Sequence, residues 1–137
     1  MWPAPLAAAD LKGPGVNVAL WVLQALTAVA FGGHGFLMIS GPQRMAERVP
    51  WVSSLPAPVV RLLGLLEILG AIGVVVPAAS GVLPSLTVAA AGALVAMMLL
   101  GMLFHLTRRE WPNIGLNLVL GALAFAVAYG RLVIEPL

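Results

Sequence analysis

Four apolar runs, at residues 16–39, 59–76, 84–106 and 114–133, leave this chain few ways to fold. About 20 apolar residues in helical form cross the roughly 30 Å of hydrocarbon in a bilayer. In that medium every backbone N–H and C=O must find a partner inside the protein, which a helix provides segment by segment. The runs therefore predict an all-α polytopic membrane protein, one domain over residues 1–137, with four transmembrane helices in an antiparallel bundle. The connection at 77–83 is short enough to force a hairpin between the second and third spans. Composition agrees, because 61% of the residues are hydrophobic, 9% are charged and the mean hydropathy is +1.05. A soluble domain of this length is far more polar.

The same composition excludes several functions. Seven basic residues against five acidic ones give a net charge of +2 without a dense basic face, so nucleic acid is not a partner. The absence of cysteine removes disulfides, thiolate metal sites and a catalytic thiol. Residues 1–15, with Pro3, Pro5, Gly13 and Pro14, read as a short exposed tail. The first apolar run lacks a basic lead and is too long for a signal peptide, so it is expected to stay as an anchor. Between the first two spans, residues 40–58 suit either a short interfacial helix or a solvated loop.

Orientation follows from the basic residues. Arg44, Arg48, Arg61, Arg108 and Arg109 fall at the first and third connections, against Lys12 and Arg131 near the termini. That excess places the two connections in the cytoplasm and both termini outside a bacterial-type inner membrane. Trp51 and Trp111 should mark one interface, and Trp21 and Tyr129 the other.

Within the spans the charges need a reason. Glu67 lies deep in the second run, where insertion of a carboxylate costs at least about 2.5 to 3.5 kcal/mol, so a partner or a task is expected. At 1.5 Å per helical residue, Glu67 is roughly 12 Å from the loop end, His34 roughly 7 Å, Asn117 roughly 5 Å and His105 at the surface. These polar groups approach from one side, as a funnel closing near Glu67, while the opposite half holds little beyond Gln24, Thr87 and Tyr129. Arg61 and Glu67 are expected in one polar network. Their separation of six residues, a turn of about 240°, argues against a direct pair on one helix. His34 is the first choice to meet Glu67 from another helix and Asn117 the second, with Arg61 snorkelling to the interface. Glu67 and His34 are the candidate catalytic residues, and Arg61, His105, Asn113, Asn117 and Gln24 the candidate ligand-binding ones. No metal site is expected, and haem is disfavoured because His34 and His105 differ in depth. Gly64, Gly70 and Gly73 read as small residues that let helices approach closely.

The run Arg61-Leu-Leu-Gly64-Leu-Leu-Glu67-Ile-Leu-Gly70-Ala-Ile-Gly73, ending at Pro77, resembles the second-helix signature of the DoxX-like family of small four-helix membrane proteins. Pro84, Leu86-Thr87 and Ala89-Ala90, then His105 with Arg108-Arg109-Glu110 and Asn113, look like its third helix and following turn. Ala128-Tyr129-Gly130-Arg131 looks like its closing motif. The family often has a Lys after the first-helix Gly, whereas Phe36, Leu37 and Met38 follow Gly35 here, and His34 supplies the polar group instead. The resemblance implies company with subunits of quinone-dependent sulfur oxidation, proteins assembled with antioxidant enzymes and a distant receptor-assembly chaperone.

The resulting expectation is an accessory or anchoring module in membrane redox or stress metabolism that binds a hydrophobic ligand such as a quinone or isoprenoid lipid. An alternative is an intramembrane isomerase or cyclase acting on a terpenoid or quinone-like substrate, with Glu67 exchanging the proton and His34 as its partner. A small transporter is the weaker alternative, since four spans lack inverted repeats. The expected partners are membrane lipids, a redox or antioxidant protein and a second copy of the chain.

Overall fold

The computed structural model describes residues 13–137, so residues 1–12 of the expected tail, with Asp10 and Lys12, lie outside the described residues, while Pro14 and Gly15 already belong to the first helix. Prolines punctuate the chain. Pro sits in the first turn of α1 (Pro14–Ser40), α2 (Pro42–Arg48), α3 (Pro50–Ser53), α4 (Ala57–Gly73), α5 (Val76–Ser80) and α7 (Trp111–Tyr129), where its missing N–H costs nothing. Only α6 (Ser85–Thr107) begins after a proline, Pro84, rather than on one. A π-helical turn, Gly130–Ile134, closes the chain. Four stretches, Pro14–Ser40, Ala57–Ser80, Ser85–Thr107 and Trp111–Ile134, are long and apolar enough to cross a membrane. The described residues form helices and no strands, and the protein is an all-helical membrane protein.

The four spans associate as two close pairs, α1 with α4 and α6 with α7, joined by looser contacts of α1 with α7 and α4 with α6. Lipid offers no hydrophobic drive between helices, so backbone proximity decides which faces pair. At Gly35 and Gly64 the α1 and α4 backbones touch: a Cβ on either glycine would stand 2.5 to 2.6 Å from the other's carbonyl oxygen. Between α6 and α7, Gly101 receives the Asn117 amide, and Gly121 receives Met98. The core gathers Phe31, Val74, Ala91, Leu94, Ala124 and Val127 from all four spans.

The second span is broken. Pro77 has no N–H, and its ring crowds the carbonyl four residues earlier, so α4 stops at Gly73 and the helix resumes at Val76. The span nevertheless continues past Pro77 to Ser80, beyond the end at residue 76 expected from the sequence. An unbroken helix would pair the Ala78 N–H with the Val74 carbonyl. Here Ala78 N–H bonds Thr87 Oγ1 at 3.1 Å, and Gln24 Nε2 donates to Val74 O at 2.5 Å, so side chains from α6 and α1 replace the lost bond. Gln24 Oε1 in turn accepts from Arg131 Nε at 2.7 Å, Arg131 Nη1 donates to Asn17 Oδ1 at 2.8 Å, and the guanidinium lies 5.2 Å from the Trp21 ring centroid. This half of the bilayer was expected to hold little beyond Gln24, Thr87 and Tyr129, with Arg131 counted only as a basic residue near the terminus. Arg131 is instead 2% exposed and ties the chain's last turn to its first helix.

The connection between α1 and α4 is helical rather than a solvated loop. It folds back, so that Trp51 and Val52 pack with Met38, Val60 and Phe104. Trp51, expected at an interface, is 9% exposed because it roofs the bundle end, whereas Trp111 is 66% exposed.

Candidate functional site

The close approach of α1 and α4 creates the site. His34 precedes Gly35, and Glu67 follows Gly64 by about one turn, so the glycine contact delivers the two side chains to each other. His34 Nδ1 lies 2.7 Å from Glu67 Oε2. The Glu67 side chain is 3% exposed and the imidazole 26%, so the carboxylate is shut in behind its partner. One proton serves this bond, held by the imidazole against a carboxylate or by a carboxyl against the ring. Such a bond fixes the ring and leaves Nε2 for a second interaction.

Both residues wall a cleft of about 770 Å³ between α4 and α6, within the range of small-molecule sites of roughly 300 to 1,000 Å³. Its surface is apolar, with Met98, Leu94 and Phe104 prominent, except for His34, Glu67, His105 and Asn117. The cleft exists because α4 and α6 approach closely only toward their other ends, where Gly73 meets Ala90 and Gly70 meets Leu94.

His105 was expected at the membrane surface. It is 5% exposed, because the folded connection lays Trp51 edge-on to it at 5.6 Å while Phe104 packs edge-on at 5.3 Å. Its Nδ1 bonds Glu110 Oε2 at 2.7 Å, and Arg108 Nε donates to Glu110 Oε1 at 2.8 Å. The turn that permits this uses Arg109 in the left-handed region, φ 56°, which returns the Glu110 N–H to the His105 carbonyl at 3.0 Å. Glu110 was not singled out from the sequence as a partner. The signal was its position five residues beyond a helix-end histidine, in the turn that closes the helix.

Among the other candidates, Asn117 borders the cleft and packs on Gly101. Asn113 is half-buried in the first turn of α7, where its backbone N–H bonds the Glu110 carbonyl at 3.1 Å, and it does not line the cleft. Gln24 belongs to the opposite polar cluster and not to the cleft. Arg61 is exposed and makes no ion pair with Glu67 among the described residues, so the expected shared network is absent. The 240° turn between them carries Arg61 to the outer face, near the interface. Among the described residues no group of three or more His, Asp or Glu side chains gathers as a metal would require.

Glu110 lies outside the spans. The hydrogen bond from His105 holds its carboxyl below the ordinary value of 4.5, with Arg108 adding to the effect and desolvation opposing it. A depressed carboxylate stabilises the fold above its unfolded value, and that contribution disappears as pH falls through the folded value. The parent should therefore lose thermal stability below about pH 4.5 more steeply than Glu110→Gln. Melting both proteins across pH 7 to 3 checks this, and parallel curves would remove the clasp from the stability argument.

Comparison with curated proteins gives no match, and comparison with solved structures gives none either. The glycine-coupled carboxylate in the second span and the turn after the third both lie within residues 22–127, which match the family model described as the DoxX-like family, and the chain belongs to that family.

Proposed function

We propose that this membrane protein of the DoxX-like family is an accessory or anchoring module in membrane redox or stress metabolism, and that it binds a hydrophobic ligand in the α4–α6 cleft. A quinone or isoprenoid lipid has the required chemistry. The observation that carries the reading is the cleft itself, about 770 Å³ of apolar space with one carboxylate–imidazole pair in its wall. An apolar body would lose its contact with lipid tails at little cost, while a polar head would meet the His34–Glu67 pair, whose desolvation needs compensation. A quinone fits the residues, since its carbonyl oxygen would accept from His34 Nε2–H when the Glu67 carboxyl donates to Nδ1, and its own chemistry is electron and proton uptake. The chain's part is to orient the head, exclude water and hold a proton at His34 Nδ1 or Glu67 Oε2.

The hydrogen bond between His34 and Glu67 also favours the isomerase or cyclase reading, because it offers a proton donor and acceptor in a water-poor space. Purification in lipid nanodiscs followed by mass spectrometry of extracted small molecules and proteins tests both. A retained quinone or isoprenoid supports the module, and a terpenoid altered on incubation supports the enzyme. An extract holding only bulk phospholipid would sink both.

We further propose that the connections carrying Arg44, Arg48, Arg108 and Arg109 face the cytoplasm. All four are exposed, whereas Arg131 at the other end is buried in its hydrogen bonds. A redox or antioxidant partner would then meet the arginine-bearing face. Reporter fusions within the Arg44 to Arg48 segment should read as cytoplasmic and fusions after Leu137 as extracytoplasmic, and the reverse pattern would refute the orientation.

A further inference from the structure

We infer that the cleft has two polar ends, with His105, held by Glu110 and Arg108, as a second hydrogen-bonding station for the ligand that meets His34. The ligand class is then one with two oxygens on a rigid apolar core, rather than a lipid with a single polar head. This rests on the cleft being a ligand site.

Two imidazoles border the same cavity from different helices, α1 and α6. Each is tethered in the same way, Nδ1 to a glutamate Oε2 at 2.7 Å. A carboxylate on Nδ1 orients the ring and fixes the tautomer, which leaves Nε2 to address whatever lies beside it. For His105 the orientation is reinforced twice. Trp51 and Phe104 hold the ring edge-on, and Arg108 anchors the second oxygen of Glu110. A histidine needed only to fill space would require none of this. His105 is 5% exposed and lines the cleft, and Trp51 and Phe104 beside it present aromatic walls suited to a flat ring. Arg109, Arg61 and the charges of α2 are exposed and leave Glu110, itself held by Arg108, as the charged group engaged with His105.

The test uses the full chain in nanodiscs under anaerobic conditions, with 2-decylhydroquinone and 2-decylphenol as probes, since they differ by one hydroxyl. Binding is followed by tryptophan fluorescence and corrected with empty discs. The parent should bind the two-oxygen probe about tenfold more tightly, as one more hydrogen bond to a fixed partner allows. His105→Phe should bring the ratio near one without weakening the phenol. Glu110→Ala, outside the spans, removes the tether on Nδ1 without emptying the core and should cut the ratio severalfold. A parent that binds both probes equally, or a ratio that survives both variants, overturns the second station while leaving the cleft a ligand site. Binding of neither probe overturns the ligand reading and this inference with it.

Discussion

Glu67→Gln should leave the thermal stability of the protein within about 1 kcal/mol of the parent while reducing retention of the cleft ligand at least tenfold. Glutamine keeps the shape and can either accept from or donate to His34 Nδ1 across the present 2.7 Å, so the α1–α4 contact has no reason to open. What it lacks is a charge and a transferable proton. Glu67→Leu removes the partner outright and strands the Nδ1 of a half-buried ring, which costs about 1 to 3 kcal/mol. Thermal melts and ligand extraction on the three proteins separate the roles. Equal ligand retention by parent and Gln variant would sink the functional carboxylate. Equal destabilisation by Gln and Leu would show that Glu67 serves packing alone.

How much of this could be read from the sequence depended on distance along the chain. A carboxylate inside an apolar run is anomalous by itself, and small residues at Gly64, Gly70 and Gly73 signal a close helix face locally, so Glu67 and its neighbourhood were legible. His34 as the partner was legible too, because depth bookkeeping puts it on the same side of the bilayer. The polar cluster at the other end was not. Gln24 and Arg131 are 107 positions apart, and their meeting depends on the break at Val74 exposing a carbonyl, which no residue pattern announces. Trp51 was misplaced for a related reason. Interfacial tryptophan is the usual outcome, and only the folding back of α2 and α3 turns it into a roof over His105. The cleft was invisible in principle, since it is a place where α4 and α6 do not touch.

Geometry at two glycines ties the fold to the site, and Gly35→Ala should expose that link. The added Cβ would stand 2.5 Å from the Gly64 carbonyl oxygen, where ordinary contact begins at 3.4 Å, so the helices must part by about 1 Å. The obstacle is backbone on both sides, which no side-chain rotation relieves. Overpacking of this kind costs about 1 to 3 kcal/mol. Parting α1 from α4 also lengthens the 2.7 Å bond between His34 and Glu67, one residue from Gly35 and about one turn from Gly64, toward the limit of a hydrogen bond. The variant should therefore lose both stability and ligand retention, unlike Glu67→Gln, which loses only the second. Gly33→Ala is the control, with nothing within 4 Å of its new methyl, and it should be silent or slightly stabilising through better helix propensity. If Gly35→Ala melts with Gly33→Ala and keeps the ligand, the two helices are not in backbone contact, and the route by which this sequence brings His34 to Glu67 is wrong.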